Sequence, residues 1–184
     1  MKAILILIAS LLLEFCGAGA DFDLGSRGIV SISVPQGWRA AGKEIPKLRG
    51  TQSAYEITID ATNKSAKCLL TFAYLTNGFP DKETVRREVL RINKQFVPES
   101  VEKAEKLRDF SLEKGYGAYC IFTDASLVGK TTPPGDYRVM GSGEVQLAEN
   151  LPAVVSLFAE DENREDFKAM VKAIDSLKVK KPGQ

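Results

Sequence analysis

From residue 28 onward, apolar and polar positions alternate and regroup in a pattern that predicts an ordered series of elements. GIVSISV (28–34) alternates and reads as a half-buried strand, ended by Pro35-Gln36-Gly37 before Trp38. The charged, Gly- and Pro-marked stretch 39–52 reads as a loop. SAYEITID (53–60) is a second strand, ATNKSA a turn, and KCLLTFAYL (67–75) a third strand, apolar enough to be covered on both faces, with Asn77-Gly78 closing it. In residues 81–96 the spacing changes: Val85, Val89, Ile92 and Phe96 form one helical stripe, with Asp81 as N-cap and Pro98 as the stop. Residues 99–109 carry no clear period, although a strand is expected to begin near Lys106.

YGAYCIFTDAS (116–126) is a further strand, and residues 128–136 form the most irregular loop in the chain. YRVMGSGEVQLA (137–148) reads as a long strand in which Gly-Ser-Gly marks a bulge, and AVVSLFAE (153–160) follows it after a turn. A last helix buries Phe167, Met170, Val171, Ile174 and Leu177, with Asp161 or Asn163 as its cap. Lys178, Lys180 and Lys181 gather at its end, where the helix dipole favours cations, and a frayed tail is expected from about residue 179. The short links between strands call for antiparallel pairing. The predicted fold is therefore α+β: a single domain with a mainly antiparallel sheet of about six to seven strands and two main helices.

The first 20 residues have a different character. Lys2 is followed by an unbroken apolar run at 3–13, short of the roughly 20 residues of a membrane span and suited to the core of a secretory signal. Ala18-Gly19-Ala20 offers small residues to a signal peptidase, so the expected mature domain is 21–184, exported to the periplasm or secreted. Glu14 and Phe15 stand where a lipoprotein signal carries small residues, so Cys16 is expected to leave with the leader rather than to carry a lipid. No later run has spanning length, so no membrane span is expected in the mature chain.

Setting Lys2 and Glu14 aside, the 25 basic and 24 acidic residues become 24 and 23, a balance with no electrostatic footprint for nucleic acid. Cys68 and Cys120 remain. Their strands could be sheet neighbours, which leaves two outcomes open: a cross-strand disulfide, or two unpaired buried thiols.

The stretch SISVPQGWRA resembles the strand-then-Pro-x-Gly-Trp opening of the Mog1/PsbP-like superfamily, which includes DcrB-type bacterial envelope proteins. The order of elements over 28–178 is similar as well. This resemblance implies a non-enzymatic subunit, assembly factor or adaptor that binds another macromolecule. The residues carry over no metal or photosystem contact from the photosynthetic branch.

The candidate chemistry is sparse. The chain has no histidine, so catalysis built on Ser-His-Asp or Cys-His is excluded. Two cysteines do not make a common zinc site. Val128-Gly129-Lys130-Thr131 ends like a phosphate-binding loop, but Asp124 stands where the first glycine belongs, and Thr132-Pro133-Pro134-Gly135 follows in place of a helix. Asp60, Asp124 and Glu144 fall near strand ends without the spacing of a catalytic carboxylate pair. Apolar neighbours mark both cysteines as inert. Arg87, Arg91 and Lys94 share a face of the first helix, with Glu83 placed to pair with Arg87.

The binding candidates are Trp38, as an aromatic anchor or a core plug, and the loop 128–137, with Lys130, Pro133, Pro134 and Tyr137. The expectation is a non-enzymatic envelope protein that binds a protein partner and needs no cofactor. The alternative is a small-molecule-binding periplasmic protein with a pocket between sheet and helix.

Overall fold

The computed structural model describes residues 18–46, 53–73 and 78–180. The apolar leader with Cys16, the end of the third predicted strand with Tyr74, and the tail after Lys180 lie outside the described residues. Among the described residues ten strands and two α-helices follow one another as β1 (Ala18–Asp23), β2 (Ile29–Val34), β3 (Trp38–Ile45), β4 (Ala54–Ala61), β5 (Ala66–Ala73), α1 (Lys82–Asn93), β6 (Arg108–Asp109), β7 (Tyr116–Thr123), β8 (Val139–Gln146), β9 (Pro152–Ala159), α2 (Glu165–Asp175) and β10 (Lys178–Lys180). The fold is α+β, with every strand pair antiparallel.

Seven strands form one sheet in the order β3-β4-β5-β9-β8-β7-β6, and three form a second in the order β1-β2-β10. The main apolar cluster joins Val30, Ile32 and Val34 of the small sheet to Ile57, Ile59, Leu70, Val155 and Leu157 of the large one, and to Phe167, Met170 and Ile174 of α2. The small sheet and α2 thus cover one face of the large sheet, here called the inner face. Removing this apolar surface from water, at roughly 25 cal/mol per Å², is the main driving force. On the outer face α1 lies mainly over β7 and β8, with Lys82 and Arg86 pairing to Asp109 of β6, and closes a separate cluster of Val85, Val89, Ala118, Cys120 and Phe122.

Several sequence expectations need correction. Residues 38–45 are strand β3, not loop; β3 is the sheet edge, and its Arg39, Lys43 and Glu44 are exposed, which hides any alternation. Apart from these corrections, Ala18-Gly19-Ala20, where cleavage is expected, stands at the start of β1 opposite Val34, Ser33 and Ile32. Gly141-Ser142-Gly143 is no bulge, because β8 keeps unbroken register with both neighbours. The glycines make room instead: a Cβ on Gly141 would stand 2.9 Å from Leu157, and one on Gly143 would run into the Ala118 carbonyl. Only the inner-facing residues of β5 are fully buried; Lys67, Leu69 and Thr71 on its outer face are half-buried.

The N-cap of α2 is Arg164, without a side-chain hydrogen bond, while Asp161 accepts from the Asn163 backbone N–H at 2.8 Å in a local turn. Glu165 and Asp166 in its first turn complement the dipole. The lysines after α2 do not fray at once: Lys178–Lys180 is β10, with Val179 opposite Val30. For α1, Asp81 is the N-cap as expected, accepting from the Thr84 N–H at 2.7 Å.

Cys68 and Cys120 are both buried free thiols: of the two outcomes left open the unpaired one holds, and the possible disulfide is corrected. Their strands, β5 and β7, are separated by β9 and β8. Cys68 packs in the inner-face cluster and Cys120 under α1 on the outer face. A disulfide needs Cα atoms within about 7 Å, and three strand spacings of about 4.8 Å already exceed that.

Candidate functional site

Register brings the predicted binding residues to one end of the large sheet. Trp38 opens β3 opposite Ala61, where β4 closes. Ala66 opens β5 opposite Ala159 at the close of β9, Ala159 faces Val139 at the start of β8, and Val139 faces Thr123 at the end of β7. The turns 35–37 and 62–65, the loop 128–137 and the link into α2 therefore share this end.

Hydrogen bonds tie these segments to one another. Thr62 donates to the Gly37 carbonyl through its N–H at 3.1 Å and its hydroxyl at 2.7 Å. Arg138 donates to the Lys130 carbonyl at 2.7 Å, and the Thr132 hydroxyl donates to the Glu160 carboxylate, itself 4.0 Å from the Arg138 guanidinium. The Asp136 N–H bonds the Pro133 carbonyl at 3.0 Å across Pro134 and Gly135, and Gly135 has φ of 98°. Proline followed by a positive-φ glycine is the pattern of a type II turn. The result is a braced loop whose crest, with Lys130, Pro133 and Pro134, is exposed. Tyr137 is half-buried, its ring centroid 5.8 Å from that of Phe158, and burial raises its phenol pKa.

Trp38 is half-buried. One part packs on the main cluster, and the rest walls a groove of 280 Å³ between the 33–38 segment and the first turns of α2. Pro35, Gln36, Asp166, Lys168 and Lys172 complete much of the lining. The packed part fits the core-plug reading, and the rest of the side chain is accessible to solvent. The α2 contribution escaped the sequence reading, because the apolar stripe of that helix directs attention to the face that is buried.

The remaining candidates do not join this site. Along α1, Arg86, Arg87, Leu90, Arg91 and Lys94 line an open groove with Glu105 and Leu107. Its charges are partly spent: Arg86 makes two 2.8 Å contacts to Asp109, Arg91 pairs with Glu88, and Glu83 pairs with Arg86 rather than with Arg87. The three carboxylates stay apart. Asp60 lies on β4 4.0 Å from Lys67, and Asp124 caps a 3-10 turn by accepting from the Ser126 N–H at 2.8 Å; the Ser126 side chain, then this N–H, lowers its pKa. Glu144 is buried on the outer face of β8, and burial, followed by the charge of Glu88, raises its pKa to about 7 against the pull of Arg91. Burial also raises the thiol of Cys68, and that of Cys120 to about 11. After Val128-Gly129-Lys130-Thr131 the chain enters a turn and then β8, so no helix N-terminus stands behind that sequence. Among the described residues no three His, Cys, Asp or Glu side chains gather to hold a metal, and no helix is long and apolar enough to cross a membrane.

Comparisons with protein-family models, with curated proteins and with solved structures return no match to this chain.

Proposed function

We propose that this chain is a non-enzymatic binding protein of the cell envelope, exported by its N-terminal leader, and that it engages a protein partner through the Trp38 end of the large sheet. One observation carries the reading: the exposed Pro133-Pro134 crest and the Trp38 groove, nearly 100 residues apart in sequence, sit on the same end of a rigid sheet. Loops gathered at one end of a scaffold are where binding surfaces are commonly built. A half-buried Trp ringed by charged side chains also has the make-up of an interface anchor. The likeness of VPQGW to Mog1/PsbP-like proteins points the same way.

The test is in-cell crosslinking of the tagged full-length chain, with mass spectrometry of the captured species. One dominant envelope partner, lost when 128–137 is replaced by a short Gly-Ser turn, supports the reading. Capture no greater than background contradicts it.

The groove supports a second reading. Its 280 Å³ is close to the lower bound of small-molecule sites, about 300 Å³. A small ligand seated there would quench or shift the emission of Trp38, the single tryptophan of the chain, and raise the melting temperature. A ligand that stabilises the protein without changing that emission is bound elsewhere.

A further inference from the structure

The structure assigns to Glu144 the part of a proton-operated latch: its neutral carboxyl keeps α1 seated on the outer face of the large sheet, and its ionisation lets the helix lift from the apolar strip beneath. The helix is placed to move as a unit. It packs on β7 and β8, is tied to β6 only by ion pairs of Lys82 and Arg86 with the half-exposed Asp109 among the described residues, and its cluster with Ala118, Cys120 and Phe122 is separate from the main core on the inner face. Lifting it leaves the main core intact, because the main cluster contains no residue of α1, and local opening occurs in such separate cooperative units.

The latch sits at the border of that cluster. Glu144 stands in a row across the outer face between Ala118 of β7 and Val154 of β9. It is 8% exposed, and its Oε2 has no hydrogen-bond partner. Asn93 of α1 is 1% exposed; its amide nitrogen donates to the carbonyl of Ser142, two residues from Glu144, while its Oδ1 is equally unpartnered. The helix–sheet seam thus holds two buried acceptor oxygens without donors, and protonating the carboxyl removes the charge from one of them.

The charged groups acting on Glu144 come from α1: Glu88, and Arg91, whose guanidinium is already engaged by Glu88. Ala118 and Val154, its cross-strand neighbours, and Ser142 and Gln146, two positions away on β8, carry no charge. Ionisation of Glu144 therefore places charge on a carboxylate whose buried Oε2 has no donor, and burial, followed by Glu88, raises its pKa to about 7 against the pull of Arg91. The inference is independent of what the Trp38 end binds.

Cys120 and Cys68 make the test internal. Cys120 lies under α1, and Cys68 lies in the main core on the opposite face. The reduced full-length protein is labelled with N-ethylmaleimide at pH 6 and pH 8, and each site is read by peptide mass spectrometry. Each rate is divided by that of the same cysteine in the urea-unfolded chain at the same pH. A carboxyl that titrates at about 7 when covered and at 4.5 when released predicts about tenfold more opening at pH 8 than at pH 6.

The corrected rate at Cys120 rises about tenfold, that at Cys68 does not, and Glu144→Gln abolishes the rise. No rise at Cys120, a parallel rise at Cys68, or a rise that survives Glu144→Gln overturns the latch. Rapid Cys68 labelling in Glu144→Gln would mean that this variant has not folded. Glu88→Gln then decides: the latch predicts that the rise moves to lower pH, and an unmoved rise overturns it.

Discussion

Replacing Glu144 by Gln should make this protein more stable at pH 8 and leave it almost unchanged at pH 4.5. The magnitude follows from the site. The carboxyl is raised from 4.5 to about 7, and each unit is worth about 1.36 kcal/mol, so the ceiling is about 3.4 kcal/mol. Relaxation of the site and water at the edge of α1 reduce that to about 2 kcal/mol. The sign is set by proton binding. Between pH 4.5 and 7 the folded state holds the Glu144 proton and the unfolded state has lost it, so stability falls as pH rises through this window. The cost is absent below 4.5 and complete above 7.

Gln keeps the size of the side chain, replaces one carboxylate oxygen by an N–H donor, and cannot ionise. Urea unfolding followed by circular dichroism at pH 4.5, 6, 7 and 8 measures the difference. The variant should gain about 2 kcal/mol at pH 8, or about 4–8 °C in melting temperature for a domain of this size. A difference that does not change with pH, or a variant less stable at pH 8, refutes the reasoning. Either result would mean that Arg91 or a bound water compensates the carboxylate.

Other predictions are local. Leu70→Ala, at a fully buried site in the middle of the inner face, should cost about 2–5 kcal/mol in urea unfolding. Gly143→Ala should destabilise by about 1–3 kcal/mol, because the group it strikes is the Ala118 backbone carbonyl, which cannot rotate away. Asp81→Ala removes the N-cap of α1 and should cost about 1 kcal/mol. Reducing agent should leave the melting temperature unchanged, since Cys68 and Cys120 are unpaired; a drop of several degrees would contradict the strand order.

Elements with their own internal period were legible in the sequence. The predicted stripe of α2 matches its buried Phe167, Met170 and Ile174, and Val85 and Val89 of α1 are buried as their spacing requires. Strand β3 was not legible, because an edge strand with small inner residues, Ala40 and Gly42, and charged outer ones has no apolar alternation to detect. The glycines of β8 were misread for a different reason. Gly-Ser-Gly is equally compatible with a bulge and with close packing, and only the position of Leu157 on the next strand decides between them.

The cysteines show the same limit at the level of topology. Each local strand was read correctly, yet pairing depends on strand order and on which face of the sheet each strand presents, and neither is encoded within a strand. At the candidate site, Trp38 and the 128–137 loop were legible as irregular or aromatic features. That they share one end of the sheet with the start of α2 depends on the register of six strands.

The account rests most heavily on that shared end, and site-specific photocrosslinking in cells tests it directly. A photoreactive residue is placed in turn at Gln36 in the groove, at Pro134 on the loop crest, and at Glu149, which is exposed in the β8–β9 turn at the opposite end of the sheet. The account predicts that Gln36 and Pro134 capture the same partner and that Glu149 does not. Capture of unrelated species from Gln36 and Pro134, or of the same partner only from Glu149, would contradict it.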